Sequence, residues 1–208
     1  MKLYEFAPTR SIRVRWTLQE LDVPFESVTI DLSKSEHKKP EFLAVNPAGR
    51  LPVLIDGDFV LTESATIVRY LAEKYPEKHL WPQSLRDQAQ ADRWLMFTVT
   101  ELEQPLWRVS KHMNIYPKAQ RLPEEIVNAK RDFKEMVQVM EVHMRDRAFV
   151  IGEQVTVVDF VLAYTLDWAN ELRLLDDCPA LLRYLERMYS RPRAAMRIKQ
   201  ALASVGLA

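Results

Sequence analysis

The 208-residue sequence contains a single cysteine, Cys178. An internal disulfide is therefore excluded, which is typical of proteins that work in a reducing compartment. Because most lone cysteines are small core residues, we expect Cys178 to be buried and unreactive.

An excess of either charge is also lacking. Lys and Arg total 29 residues and Asp and Glu total 29, which gives a formal net charge of zero. No broad electrostatic field attracts nucleic acid or an anionic membrane, so we expect neither as a partner. A charged ligand would have to be bound by local groups.

Long apolar runs are missing as well. None approaches the roughly 20 residues needed to span a bilayer, and Glu5 lies where a signal peptide would be apolar. We therefore expect a soluble, cytoplasmic protein. Since 48% of the residues are apolar, the chain can still bury a core of useful size, and a globular fold is expected.

Residues 1–78 show the pattern of an α/β domain. The runs Lys2–Phe6 and Glu26–Ile30 are typical of strands, and Ile12–Leu21 between them has apolar residues at helical spacing. Such a βαβ unit predicts parallel strands. Two further apolar runs around Asp56-Gly57-Asp58 predict a β-hairpin, and Glu63–Tyr75 predicts the helix that follows it.

Residues 85–208 change to helical periodicity without strand alternation. The sequence therefore predicts an all-helical second domain, joined to the first by a linker at 79–84. Its predicted helices are Gln88–Val109, Glu124–Arg145, Thr156–Asn170 and Pro179–Ser190.

Pro52 stands at the start of a predicted strand, where the missing N–H weakens pairing. A cis Leu51–Pro52 bond would turn the chain sharply and expose the backbone of Val53. An extended peptide ligand can hydrogen-bond to such a backbone as an additional strand would. An ordinary trans proline in an edge strand is the alternative.

Two longer motifs carry a resemblance to a known family. Asn46-Pro-Ala-Gly-Arg-Leu-Pro-Val-Leu54, followed by Glu63-Ser-Ala-Thr-Ile-Val-Arg-Tyr-Leu71, closely resembles the cytosolic glutathione transferases. The similarity extends to Glu36-His37-Lys38 and to the opening residues 3–11, and it covers the whole first domain. It implies a thioredoxin-like domain with a mixed four-stranded sheet, followed by an all-α bundle. It also implies a homodimer that uses glutathione as co-substrate, with no cofactor and no metal.

The resemblance places the glutathione site in the first domain. Glu63 would pair with the ammonium and Ser64 would bind the carboxylate of the γ-glutamyl end. A plain helix N-cap with an acid beside it is the alternative. The remaining implied residues are His37, Lys38 and Arg50 at the glycyl carboxylate, Val53 at the cysteinyl part, and Leu51 and Pro52 beside it. Solvated surface charge is the alternative for the three basic residues.

The chemistry requires a hydrogen-bond donor to the glutathione sulfur, because a free thiol is only about 3% ionised at pH 7. The loop before the first helix offers Ser11, our first candidate, and Thr9, and this pair resembles the Thr and Asn of the nu class. Arg10 stands where the beta class has its cysteine, which argues against a mixed disulfide. Ser11 as a simple N-cap stays open, as does activation by backbone N–H groups and the helix dipole alone.

Two features of the second half complete the sequence-based interpretation. Thr156 and Asp159 resemble the family's capping box, a folding feature to which a catalytic Asp159 is the alternative. Apolar walls for an electrophile are expected from aromatic side chains on helices. The candidates are Trp107, Tyr116 and Trp168.

The sequence therefore predicts a glutathione transferase that activates the thiol for attack on a hydrophobic electrophile. The identity of the electrophile and the class within the family stay open. One alternative is glutathione-dependent reduction of peroxides or disulfides at the same site. A non-enzymatic regulatory relative is another, but retention of Glu63, Ser64, Pro52 and a loop hydroxyl favours an enzyme.

Overall fold

The computed structural model describes residues 1–206, which form two compact units. The first contains Met1–Trp81 together with residues 189–206, and the second is Pro82–Met188. The sequence pattern assigns everything after residue 84 to the helical domain, so the position of the last segment differs from that expectation.

Residues 189–206 cluster with the first unit because specific contacts tie them to its first helix. The guanidinium of Arg191 donates to both carboxylate oxygens of Glu20, at 2.7 and 2.8 Å. The ring of Tyr189 lies 5.0 Å from that of Trp16. Helical periodicity alone carries no information about which unit a terminal helix joins.

The first unit contains a four-stranded sheet with the order β2-β1-β3-β4. β1 and β2 are parallel, with Leu3 opposite Ser27, whereas β3 is antiparallel to both β1 and β4. This confirms the predicted mixed sheet and its hairpin. The strands are β1 (Lys2–Glu5), β2 (Glu26–Thr29), β3 (Val53–Asp56) and β4 (Phe59–Thr62).

Helices make up most of the remaining chain. Short 3-10 turns lie at Glu36–Lys38, Pro76–Lys78 and Lys118–Gln120, and wider π-type turns at Thr98–Leu102 and Lys111–Ile115. The helices are α1 (Ser11–Leu21), α2 (Pro40–Leu43), α3 (Ser64–Lys74), α4 (Leu85–Phe97), α5 (Glu103–Ser110), α6 (Pro123–Met144), α7 (Val157–Glu171), α8 (Pro179–Tyr189) and α9 (Ile198–Ser204).

Both faces of the sheet are used. Successive strand side chains point to opposite faces, and in β1 Leu3 is fully buried while Tyr4 contacts Phe42 of α2, with ring centroids 5.9 Å apart. α1 packs against α3, and their apolar stripes include the fully buried Trp16 and Leu71. This arrangement brings the start of α1 and the start of α3 into the same unit as the sheet.

The second unit is organised around α7, which is buried along most of its length. The capping box predicted for Thr156 and Asp159 is confirmed. The Asp159 carboxylate also accepts hydrogen bonds from Val150 N at 2.9 Å and from the Tyr184 hydroxyl at 3.0 Å. With no exposed surface and this set of donors, Asp159 has a folding role.

Some features have no clear signal in the sequence. α2 and α9 have only four and seven residues, too short for periodicity to reveal. A second cis bond, Ala7–Pro8, precedes α1. Within residues 1–206, no helix combines the length and the apolar character needed to cross a bilayer.

Candidate active site

The start of α1 carries two bonded hydroxyl groups. Thr9 Oγ1 donates to the Phe6 carbonyl oxygen at 2.5 Å, and the hydroxyl oxygens of Thr9 and Ser11 lie 2.7 Å apart. Because each hydroxyl has one proton and that of Thr9 is used on Phe6, Ser11 must be the donor to Thr9. The two side chains predicted to activate a thiol thus form one hydrogen-bonded chain.

The N-cap interpretation of Ser11 is not what the structure shows. Ser11 is the first residue of α1, and the N-cap residue is Arg10, whose side chain makes no capping bond. The oxygen that accepts from an N–H group here is that of Thr9, 3.3 Å from Ser11 N. Ser11 is 1% exposed, whereas Thr9 is partly exposed.

The start of α3 has an unusual backbone. Glu63 is its N-cap residue, with φ 66° and an exposed side chain that makes no capping bond. A non-glycine residue in this region is strained. Ser64 is buried and is the first helical residue, so the plain N-cap interpretation fails for Ser64 too.

The first N–H groups of α3 are open. Ile67 N donates to the Glu63 carbonyl oxygen, but N–H groups of Ser64, Ala65 and Thr66 meet no acceptor within residues 1–206. Such groups, together with the positive end of the helix dipole, favour an anion.

Arg13 is a candidate site residue that the sequence interpretation did not name. It is 1% exposed, and its Nη1 donates to Ser64 Oγ at 3.2 Å, joining α1 to α3. Since Ser64 Oγ accepts this bond, its own proton remains available to a ligand. The signal was present: Arg13 lies three residues before Trp16 and thus on the buried stripe of α1.

The Leu51–Pro52 bond is cis, which confirms the prediction. Val53 directly follows as the first residue of β3, opposite Tyr4 on one side and Thr62 on the other. Pro52 and Val53 are buried and Leu51 is partly exposed.

A basic loop cluster, defined here as His37, Lys38 and Arg50, lies beside the Asn46–Arg50 turn. Asn46 holds this turn, since its Nδ2 donates to the Arg50 carbonyl oxygen at 2.8 Å and its Oδ1 accepts from Ala48 N at 3.1 Å. The charges of Lys38 and Arg50 both act on His37, so the three basic residues lie close together.

Gly49 makes the close approach within this cluster possible. Its φ is +59°, and a Cβ atom there would lie 2.9 Å from the His37 carbonyl oxygen. Glycine is the residue that accepts both constraints.

His37 shows the electrostatic character of the cluster. Burial, followed by the charges of Lys38 and Arg50, lowers the pKa of His37. Its Nδ1 is buried and has no hydrogen-bond partner within the described residues. The two neighbouring cations suit an anionic ligand.

The electrophile candidates lie in the second unit, and each is partly exposed. Trp107 is on α5, and Trp168 is on α7, with its ring centroid 6.5 Å from that of Tyr164. Tyr116 follows the second π-type turn and meets His112 edge-on at 5.1 Å. Their contribution to a ligand site stays a prediction.

Cys178 is buried, as expected, and burial raises the pKa of its thiol above the usual range. A raised pKa disfavours the nucleophilic thiolate at neutral pH. Among residues 1–206, no group of three His, Cys, Asp or Glu side chains is placed to hold a metal ion.

Comparison with known proteins agrees with this geometry. The family model "Glutathione S-transferase, N-terminal domain" matches residues 1–73, and "Glutathione S-transferase, C-terminal domain" matches residues 107–192. The chain is 33% identical over 165 residues to glutathione S-transferase F10 of Arabidopsis thaliana, covering 76% of this chain and 77% of that protein.

Two further relatives give the same picture. The chain is 36% identical over 175 residues to glutathione S-transferase theta-2 of Mus musculus, which covers 80% of this chain and 70% of that protein. The crystal structure of the glutathione transferase URE2P5 from Phanerochaete chrysosporium matches with a TM-score of 0.87 and 25% identity, over 99% and 96% of the two chains.

Proposed function

The chain belongs to the glutathione S-transferase family and is a glutathione transferase, and we propose that the Thr9–Ser11 hydroxyl pair activates the thiol. The activated thiolate would then attack a hydrophobic electrophile. The observation that carries the proposal is the hydrogen-bonded chain from Ser11 through Thr9 to the Phe6 carbonyl oxygen. A hydroxyl donor at a helix start stabilises a thiolate and lowers its pKa.

Burial supports a division of labour within the pair. Thr9 is the partly exposed member and can reach a ligand, while Ser11 is enclosed. If Thr9 turns its proton toward sulfur, the Phe6 oxygen still accepts from Thr9 N at 2.9 Å. Ser11 keeps donating to Thr9 and polarises it. Thr9 is thus proposed as the group that touches sulfur, and Ser11 as its positioning residue.

The proposed glutathione contacts follow the open groups of the first unit. The γ-glutamyl carboxylate is assigned to the N–H groups at the start of α3 and to the Ser64 hydroxyl, with Glu63 at the ammonium. The basic loop cluster is assigned to the glycyl carboxylate, because its charges lie close together. Val53 is assigned to the cysteinyl backbone, beside Leu51 and Pro52.

The pKa of bound glutathione tests the hydroxyl assignment. We expect Thr9→Val to raise the thiol pKa by about 1–2 units, since a lost donor destabilises only the thiolate. Ser11→Ala should raise it by about half as much. The measurement is thiolate absorbance of bound glutathione as a function of pH.

The exposed serine variant Ser33→Ala is the matched control and should titrate like the wild type. A larger shift in Ser11→Ala than in Thr9→Val would make Ser11 the direct donor. Unchanged titrations in both would assign activation to backbone N–H groups and the helix dipole.

Our proposals for the second substrate and for the oligomeric state are less detailed. Trp107, Tyr116 and Trp168 remain the proposed apolar walls, and a panel of aryl halides, epoxides, peroxides and disulfides would identify the electrophile.

A cytosolic homodimer is proposed from the resemblance. Phe59 and Val60, 46% and 44% exposed on strand β4, offer apolar surface for a second copy. Sedimentation equilibrium tests the dimer.

A further inference from the structure

The formal net charge of zero averages over an uneven distribution of charge. Residues 104–123 contain no Asp or Glu but four cations. These are Arg108, Lys111, Lys118 and Arg121. Most of this stretch connects α5 to α6, and we call residues 111–122 the interhelical segment. A local positive charge is therefore present although the whole chain gives no reason to expect an anionic partner.

Arg108, on α5, is neutralised within the second unit. Its Nη2 donates to Glu125 at 3.0 Å and its Nη1 to Asp132 at 2.6 Å, both on α6. These ion pairs join the two helices that carry the interhelical segment. Arg108 therefore contributes to the fold and leaves no free charge for a partner.

The other three cations keep their charge. Lys118 is exposed and makes no ion pair within residues 1–206. The ammonium of Lys111 lies over the Tyr116 ring, 5.8 Å from its centroid, and the guanidinium of Arg121 donates to carbonyl oxygens. Because no carboxylate of the described residues pairs with them, the interhelical segment presents three positive charges.

Large apolar side chains of the same segment are exposed. Ile115 and Leu122 are each 53% exposed, and Met113 is 39% exposed. A single exposed apolar residue is ordinary, but several in one short segment indicate an interaction surface. The interhelical segment thus combines aliphatic surface with positive charge.

Arg121 fixes the shape of this segment. Its Nε donates to the Tyr116 carbonyl oxygen at 2.8 Å, and its Nη2 donates to that of Asn114 at 3.1 Å. Leu122 N donates to His112 Nδ1 at 3.1 Å. Because these backbone groups are already bonded, they can enter a less polar environment at a lower cost in free energy.

We infer that the interhelical segment docks on the surface of an anionic lipid bilayer. Its aliphatic side chains enter the boundary between head groups and acyl chains, while the lysine ammonium groups stay among the head groups. Anionic lipids attract each cation near the surface, so charge and apolar burial act together. Single-stranded nucleic acid instead stacks its bases on aromatic side chains, whereas the exposed groups here are aliphatic.

Flotation of the full-length protein with lipid vesicles, without glutathione, tests the inference. We expect the protein to float with vesicles of equal parts phosphatidylserine and phosphatidylcholine. With phosphatidylcholine alone it should stay in the dense fraction. Added sodium chloride should weaken binding to the anionic vesicles, because salt screens the attraction.

Two matched pairs of variants locate the contact. Lys118→Glu and Ile115→Ser should each weaken partitioning to the anionic vesicles by at least roughly fivefold. The controls, Lys134→Glu and Val142→Ser, make the same kinds of change at exposed positions of α6 and should bind like the wild type. Val142 lies about 30 Å along the helix from Leu122.

A fluorescent label reports insertion directly. Cys178 is buried, so a thiol-reactive, environment-sensitive dye should attach selectively to Ile115→Cys or Val142→Cys. Emission from position 115 should shift to shorter wavelength on anionic vesicles, and emission from position 142 should stay the same.

Three results would overturn the inference. The first is wild-type protein that does not float with the anionic vesicles, and the second is wild-type flotation of both Lys118→Glu and Ile115→Ser. The third is binding of a single-stranded RNA, without binding to vesicles, that Lys118→Glu loses and Ile115→Ser keeps. That result would make nucleic acid the partner of the segment.

Discussion

The first N–H groups of a helix need acceptors, and two helices of this molecule differ in what those groups meet. At α8, in the second unit, Glu141 accepts from Ala180 N at 2.9 Å and from Leu181 N at 3.0 Å, so a buried carboxylate of the protein itself occupies the helix start. At α3, in the first unit, the N–H groups of Ser64 and Ala65 meet no acceptor among the described residues.

The difference shows how a folding feature and a binding feature are built from one geometry. A helix start favours a carboxylate in either case. Where the chain supplies that carboxylate, the helix start stabilises the fold. Where the position is left open, a ligand such as the γ-glutamyl carboxylate can take it. The N–H groups then contribute to the affinity for the ligand and not to the stability of the fold.

The largest expected effect comes from emptying the occupied helix start. Glu141→Ala removes the acceptor of two buried N–H groups and should lower the free energy of unfolding by about 3 kcal/mol. Urea denaturation measures this change. Affinity for glutathione, measured by calorimetry, should stay the same because Glu141 belongs to the second unit.

Glu135→Ala is the matched control on the same helix. Glu135 is exposed, and its removal should change stability by less than about 0.5 kcal/mol. A loss below about 1 kcal/mol in Glu141→Ala would contradict the role given to its carboxylate.

Removing a group from the open helix start should act on binding instead. Ser64→Ala or Glu63→Ala should weaken glutathione binding by about 1–3 kcal/mol, or roughly 5- to 150-fold in dissociation constant. Thr66→Ala is a suitable control, because Thr66 is exposed and residues two apart on a helix face different sides. Calorimetric affinities that match the wild type in both folded variants would refute the assignment.

A smaller effect is expected for Glu63→Gly, which should be more stable than Glu63→Ala but should bind glutathione more weakly than the wild type. Glycine relaxes the positive φ of 66°, so the variant should be more stable than Glu63→Ala by about 1 kcal/mol. It should still bind glutathione more weakly than the wild type, because the carboxylate is gone. Denaturation and calorimetry on both variants separate strain from binding, and a Glu63→Gly protein less stable than Glu63→Ala would contradict the strain.

The smallest expected effect concerns His37 and pH. Burial and neighbouring cations lower the pKa of His37, so the folded protein without ligand favours the neutral ring. The free energy of unfolding therefore decreases as the pH falls through the folded-state pKa. A bound glycyl carboxylate favours the charged ring. Between about pH 7.5 and about pH 5.5, affinity for S-methylglutathione, which has no thiol to titrate, should rise about threefold.

His37→Gln should remove this pH dependence, since its side chain does not titrate. A wild-type affinity that falls or stays constant over the same pH range would place the carboxylate away from His37.

The same comparison explains how much the sequence could predict. The Asp56-Gly57-Asp58 turn, Pro52 and the Thr156–Asp159 spacing are local signals, and each predicted its structure correctly. Glu141 gave no such signal, because its partners lie about 40 residues later on α8. Contacts between distant segments depend on packing, which periodicity does not encode.

Site residues divide in the same way. Motifs point to Glu63, Ser64 and the basic loop cluster as candidate site residues, whereas no motif points to Arg13, because a charged residue on a helix is usually exposed. The sequence favours Ser11 over Thr9 by loop position alone, and our proposal that Thr9 touches sulfur uses burial, which the loop sequence does not reveal. The packing of residues 189–206 within the first unit had no local signal at all.

Gly49 and Gly57 have similar backbone angles, φ +59° and +66°, but their surroundings differ. Around Gly57 nothing lies within 4 Å of an added Cβ atom, so the hairpin turn should accept Asn and Asp, which tolerate left-handed backbone. At Gly49 the His37 carbonyl oxygen leaves no room. In a saturation library selected for glutathione capture, codon 57 should diversify, while codon 49 should return as glycine alone.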